Sequence, residues 1–284
     1  MKQAILVVAF GSTVDSAREH QIDAVVNRIK EKYTDYEVRL AFSSRIIVKR
    51  LRDRGIEIPT EQGALDALIG EGYTDIYVQP LHFTGGEEFD KLKHNIFNHE
   101  RAQELNTLRV GRPLVYYMGQ EEHPNDYQIL IDTFVTSLSV SNEDGLLLVG
   151  HGGLGSGNSA YGYLQYQLIR SGLNHVRVAT LENAPYVDDV AVPWEWLDGK
   201  KPNKIYVHPL LLVLGDHALN DLFGDEEDSV VNVLKEAGYE VEEMHHALGE
   251  YTEIQDIYCQ HIQDCIDDIY GKRSSHRPAI PNIK

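Results

Sequence analysis

Two segments of this chain follow one plan, and that repetition limits what the chain can fold into. GYTDIYVQPLHFTGGEEFD (72–90) and KPNKIYVHPLLLVLGDHALND (201–221) each carry Ile-Tyr-Val, a Pro two residues on, an apolar stretch, a Gly and then acid-rich polar residues. LVVAFGST near the start is echoed by LLLVGHGG in the middle. Pro is unusual inside a strand-like run, so its recurrence argues for an internal duplication joined near 135–144 rather than for chance repetition. Around these segments short β-rich runs alternate with helical patterns, the mark of a parallel sheet crossed over by helices. Strands are expected at AILVVAF, EVRLAF, DIYVQPLHF and PLVYYM, then at GLLLVGH, VRVATLE, KIYVHPLLLV and EVEEMH. Helices are expected over 15–32, 44–54, 60–71 and 86–103, then 157–171, 186–197, 219–237 and 251–270. The fold class is α/β, with two similar domains, each a parallel β-sheet flanked by helices. Residues 1–140 are expected to shape a pocket, 141–270 to carry a metal site, and 271–284 to form a flexible tail.

At 284 residues, with 25% charged and 42% apolar residues, the chain is an ordinary globular protein rather than a disordered one. A formal net charge of -18 argues against nucleic acid as a partner, which needs a cationic surface. It leaves room for an anionic small ligand in a locally basic pocket. No apolar run approaches the ~20 residues needed to cross a bilayer, so no membrane partner is expected. MKQAILVVAFGST runs directly into a loop and an amphipathic helical pattern, which favours a first strand over a cleaved signal. Cys259 and Cys265 fall on one helical stretch with no paired-Cys zinc pattern, and a cytoplasmic, thiol-reduced protein is the simplest reading. A homo-oligomer is left open.

In open parallel sheets, ligands bind beyond the carboxyl ends of the strands. LLLVGH ends on His151, VRVATLE ends on Glu182, and PLLLVLGDH ends on Asp216 and His217. Two imidazoles and a carboxylate suit a borderline divalent ion such as Co2+, Fe2+, Ni2+ or Zn2+, and the same groups can transfer protons. Each also has a plain structural reading: a hydrogen-bonded histidine after a strand, or a carboxylate capping the next helix, which is the role expected of Asp216. The first half differs, with Phe10 in place of His151, Ser43 near the Glu182 position, and His82, Glu87 and Glu88 in QPLHFTGGEEF. One half therefore reads as built for metal or proton work and the other for shaping a pocket, with His82 either facing that pocket or buried in the sheet. SSRIIVKRLRDRG (43–55) is the basic stretch of an acidic chain. Most of it reads as a solvated helix face, whereas Arg45, at the helix start, suits an anionic group.

A rival motif lies in GHGGLGSGNSAYGYL, where Gly155-Ser156-Gly157-Asn158-Ser159-Ala160 fits the dinucleotide pattern and an acidic residue, Glu182, follows about twenty residues later. Against it, His151 and two glycines separate the strand from the motif, and the first half has no glycine-rich copy. Glycines there also let the backbone approach a large flat ligand.

With ILVVAFGST, AFSSRIIVKRLRDRGI, GYTDIYVQPLHFTGGEEFDK, LLVGHGG, ATLENAP and PLLLVLGDHALNDLFGDEEDS, the chain resembles the anaerobic (class II) cobalt chelatases of the long CbiK type, within the tetrapyrrole chelatase group that includes ferrochelatase. The order Gly-Asp-His-Ala-x-Asn-Asp is the most specific part, since no generic fold demands it. The resemblance implies a chelatase-like fold with a cleft between the domains around the macrocycle. It implies a lyase that inserts Co2+ into sirohydrochlorin without ATP, on the early-cobalt route to cobalamin. Co2+ is then a substrate metal, Fe2+ and Ni2+ fit the same ligand set, and no organic cofactor is needed. The family's metal-binding histidines fall on His151 and His217 and its glutamate on Glu182, with histidine accepting the pyrrole protons. Substrate contacts are expected from Phe10, Gly11, Ser12, Arg45, His82, Gly85 and Glu88. The alternatives are Fe2+ insertion for sirohaem, a non-enzymatic metal- or tetrapyrrole-binding protein, and a nucleotide-dependent oxidoreductase.

Overall fold

The computed structural model describes residues 2–191, 194 and 201–270. The expected tail 271–284 lies outside the described residues, as does most of the end of the helix expected over 186–197. The chain divides into two units, Met1–Leu114 with Gln255–Lys284, and Val115–Ile254.

In the first unit, β1 (Gln3–Ala9), β2 (Glu37–Phe42), β3 (Asp75–Pro80) and β4 (Thr107–Val110) pair in parallel in the order β2-β1-β3-β4. In the second, β5 (Gly145–Gly152), β6 (Val176–Glu182), β7 (Lys204–Pro209) and β8 (Glu240–Glu243) pair in the order β6-β5-β7-β8. The likeness read from the two segments thus extends to an identical strand order. β1 and β5 are inner strands, as are β3 and β7, and read as unbroken apolar runs because both faces are covered: Ala4 through Ala9 are wholly buried, and so are Leu147, Leu148 and Val149. Helices open on short polar caps, with the Ser44 hydroxyl accepting from Ile47 N, Thr60 from Gly63 N, and Asn125 Oδ1 from Gln128 N.

Four expectations differ from the structure for identifiable reasons. Boundaries at 140 and 270 differ from the observed partition, which places 115–140 in the second unit and returns the chain to the first at Gln255. That return is fixed by a buried ion pair between Arg112 Nη1 and Asp264 Oδ2 at 2.7 Å, and by Tyr33 Oη and Tyr258 Oη donating to Cys259 O and Leu81 O. PLVYYM (113–118) is not a strand, because the N–H groups of Tyr116 and Tyr117 donate to the Asp126 side chain; the fourth strand is TLRV, 107–110. The helix expected over 219–237 is two helices, Asp216–Phe223 and Val230–Glu236. Asn232 Nδ2 donates to Gly224 O and Glu226 O in the acidic connection, and Ser229 starts the second helix. Finally, β7 stops at Pro209, so LLLV (210–213) leaves the sheet.

One core residue of the second unit carries a pH dependence. His208 on β7 is wholly buried, with Nε2 2.9 Å from the Tyr251 hydroxyl and its ring 5.3 Å from that of Phe134. Burial pushes its pKa down to about 4. The unfolded chain takes up this proton near the ordinary value of about 6.5, while the folded protein refuses it until about pH 4. Stability is therefore complete above that ordinary value and falls as pH drops toward 4, by about 3 kcal/mol for this residue. Urea unfolding of wild type and His208→Gln at a series of pH values should show a shallower acid decline in the variant. Parallel declines would remove His208 as the cause.

Candidate functional site

The register of the second sheet sets Gly152 opposite Glu182, so β5 and β6 deliver His151 and Glu182 to the same carboxyl edge. His151 Nδ1 lies 3.9 Å from Glu182 Oε2, with side chains 60% and 64% exposed. Two metal–ligand bonds of about 2.1 Å span donor separations from about 3 Å at a right angle to about 4.2 Å in line. The observed spacing falls within that range. Gly152 makes this approach possible. Its φ is +83°, and a Cβ there would fall 1.8 Å from Glu182 O, so no side chain fits between the two strand ends.

His217 arrives differently from the sequence expectation. It is the second residue of the helix Asp216–Phe223 and is exposed, carried there by the connection after β7 and not by a strand end. Leu210 N donating to Val149 O at 2.7 Å, and Leu248 N to Leu211 O at 2.8 Å, hold that connection. The N-cap is Gly215, and no side chain caps the helix. Asp216 is thus not the cap it was expected to be; as the first helical residue it sits at the positive end of the helix dipole. Among the described residues, no group of three or more His, Cys, Asp or Glu is gathered as a metal site. The structure brings together His151 and Glu182, and leaves His217 outside that pair.

Two exposed apolar side chains in the loops that follow the pair escape the sequence reading. Leu154, 71% exposed, follows His151 in its loop, and Tyr186, 49% exposed, follows Glu182. The available signal was a large apolar residue in each loop leaving the carboxyl edge, where solvent would favour a polar one.

The substrate residues expected in the first unit occupy the corresponding edge of that sheet. Phe10 is exposed just beyond β1, followed by Gly11 at φ +106°, where a Cβ would collide with the Phe42 ring. Ser12 is buried, its hydroxyl accepting from Val14 N at 3.1 Å. Arg45 begins its helix, exposed, with Nη2 donating to Gln62 Oε1 at 3.3 Å and no carboxylate partner among the described residues. In the same basic stretch Lys49 pairs with Asp53 at 3.0 Å and Arg54 with Asp15 at 2.6 Å. His82 follows β3 with both ring nitrogens covered and without a protein hydrogen-bond partner. Burial pushes its pKa down to about 4, against a smaller upward pull from Glu88. Glu88 lies in the first turn of the helix Glu87–Phe97, 2.9 Å from Lys91 Nζ, and Gly85 precedes that helix.

The glycine-rich loop does not adopt a dinucleotide arrangement. Its helix begins only at Ser159, and Asn158 Oδ1 already accepts the Gly153 N–H at 3.1 Å. A tight glycine turn running straight from strand to helix, as pyrophosphate binding requires, is not formed.

The family model for cobalt chelatase (CbiK) matches residues 3–267. The chain is 30% identical over 270 residues to the sirohydrochlorin cobaltochelatase of Salmonella typhimurium, covering 94% of this chain and 97% of that protein. It is 27% identical over 263 residues to the sirohydrochlorin cobaltochelatase CbiKC of Nitratidesulfovibrio vulgaris, covering 92% and 89%. Among solved structures, SirB from Bacillus subtilis with Fe3+ superposes with a TM-score of 0.67 at 19% identity, covering 96% of this chain and 98% of that one. SirB from Bacillus subtilis subspecies spizizenii in complex with cobalt gives a TM-score of 0.62 at 16% identity over the same shares. These structural likenesses are likenesses of fold.

Proposed function

The chain belongs to the cobalt chelatase (CbiK) family, and from that premise we propose that it is a sirohydrochlorin cobaltochelatase, inserting Co2+ into the macrocycle without ATP or an organic cofactor. The observation that carries this reading is the exposed His151–Glu182 pair at 3.9 Å, with exposed Leu154 and Tyr186 in the loops that follow the two residues. An imidazole and a carboxylate at an open edge suit an ion that must be surrendered, since few protein ligands make a shallow trap. The exposed apolar side chains suit the face of a flat ring.

In this proposal His151, Glu182 and His217 hold the substrate Co2+ at one face of the tetrapyrrole. His217, on the first turn of its helix, joins the pair when the ion is present. Metallation releases two pyrrole protons as the ion exchanges water for ring nitrogens. A neutral imidazole near physiological pH accepts such a proton readily, and His151 or His217 fills that role. The Glu182 carboxylate offsets the charge of the ion. In the first unit, Arg45 receives a substrate carboxylate, with the backbone N–H groups of Gly11, Ser12 and Gly85 as further donors. Phe10 supplies an apolar contact, and His82 and Glu88 line the same edge. This reading assigns the reaction to the cytoplasm, where thiols such as the free, buried Cys259 and Cys265 stay reduced; no described helix is long and apolar enough to cross a membrane.

The test is anaerobic. Purified protein is mixed with sirohydrochlorin and Co2+, Fe2+ or Ni2+ in turn, and the absorbance change on metallation is followed. Many turnovers per chain with Co2+ are expected. Stoichiometric binding without turnover would make the protein a carrier, and a clear preference for Fe2+ would replace the cobalt assignment with sirohaem synthesis.

A further inference from the structure

The turn that carries Glu182 is tied back to Thr180 and to the loop after His151. The Thr180 hydroxyl, on a residue 1% exposed, has one proton to donate; Asn183 O lies at 2.6 Å from it, with Glu182 O at 3.1 Å and Pro185 O at 3.4 Å as longer alternatives. The Thr180 backbone N–H donates to Pro185 O at 2.8 Å. The remaining carbonyl, Ala184 O, accepts from Asn158 Nδ2. Asn158 reaches it from the loop after His151, where its Oδ1 accepts the Gly153 N–H at 3.1 Å. Asn183, at φ +68°, donates back to Gly153 O at 3.3 Å. Beneath this, Tyr161 packs against Gly150, leaving no space for a Cβ there, and its hydroxyl is hydrogen-bonded to the Gly152 backbone. The loops bearing His151 and Glu182 therefore form one hydrogen-bonded body. The two side chains themselves stay exposed and too far apart to hydrogen-bond each other.

We propose that Thr180 and Asn158 are positioning residues for metal capture: they lock the Glu182–Pro185 turn to the His151 loop so that the carboxylate stands beside the imidazole before any ion arrives. The proposal rests on the reading that His151 and Glu182 hold the substrate metal. Outer partners that orient a ligand typically change metal affinity by about 10- to 100-fold when removed, because the ion must then order the ligands itself. The lock acts on the ion-free pair. Its loss therefore falls on KM and Kd for Co2+, and kcat at saturating Co2+ stays within about twofold.

The test measures Co2+ binding by the whole protein without tetrapyrrole, together with KM for Co2+ and kcat, in Thr180→Val, Thr180→Ser, Asn158→Ala and Glu182→Gln. Thr180→Val and Asn158→Ala are expected to raise Kd and KM about tenfold or more, with Thr180→Ser restoring both. Asn158 is partly exposed, so its variant should keep the wild-type melting temperature and decides the matter alone if Thr180→Val does not fold. Wild-type Co2+ affinity in folded Asn158→Ala, alongside weakened binding in Glu182→Gln, overturns the positioning role and leaves the metal pair standing. A fall in kcat with KM unchanged also overturns it. Wild-type affinity in Glu182→Gln removes the metal assignment of the pair, and the positioning role with it.

Discussion

Replacing His151 by Ala is expected to slow Co2+ insertion at least ~10²-fold, the lower end of what a positioned proton acceptor contributes, and the loss of a metal ligand adds to it. The side chain is 60% exposed, and its hydrogen-bond contact is with the neighbouring Gly152 O. Its removal therefore leaves no buried group unpaired, and stability should stay within about 0.5 kcal/mol of wild type. A dead but fully folded variant is thus the expected outcome. Tetrapyrrole binding, followed by its own absorbance in the absence of metal, should persist, because the exposed apolar side chains of Leu154 and Tyr186 are untouched. Turnover at the wild-type rate in this variant would end the assignment of His151, whatever happened at Glu182 and His217.

Asp264→Ala should destabilise the first unit by about 3–5 kcal/mol, a large part of what holds a domain of this size together. Asp264 Oδ2 meets Arg112 Nη1 at 2.7 Å with side chains 6% and 1% exposed, and Gln260 Nε2 donates to Asp264 Oδ1 at 2.9 Å. Truncation removes the Asp264 carboxylate from beside a buried guanidinium. The cost is therefore that of breaking a buried pair from one side and not the modest net worth of the pair. Guanidinium unfolding midpoints measure it directly. The double variant Arg112→Met/Asp264→Leu removes both charges and should recover much of the loss. A single-variant change below about 1 kcal/mol, the size expected of a surface pair, would mean that water reaches this site in solution.

Local pattern sufficed for seven of the eight strands and for the pairing of His151 with Glu182, because apolar runs bounded by turn residues report burial directly, and the carboxyl end of a parallel strand is a fixed address. Misreadings arose where distant groups decide. TLRV carries Arg109 among its few apolar residues and reads weakly, while PLVYYM reads strongly yet satisfies its N–H groups on Asp126. The helix Thr252–Ile266 was evident as a helix. Its allegiance to the first unit depends on Arg112 and Tyr33, whose side chains carry no local mark of their partners. LLLV continues the apolar run of β7, so the pattern alone puts His217 at a strand end. Hydrogen bonds from Leu248 and Gly249 to Leu211 and Leu212 turn that run into a connection. The Thr180–Asn158 lock had no sequence signature at all, since both residue types are ordinary in turns.

The path of the chain through its two units orders events during synthesis. Val115–Ile254 is one uninterrupted stretch, whereas the first unit takes Met1–Leu114 and then Gln255 onward. On a ribosome, where domains complete in the order their residues emerge, the four strands of the first sheet appear first but wait for the segment holding Asp264. The half bearing His151, Glu182 and His217 has its whole sequence available before that segment exists. The earlier-begun unit is therefore the later-finished one, and a nascent chain stalled near residue 254 would carry a finished second sheet while its N-terminal sheet was still unclosed.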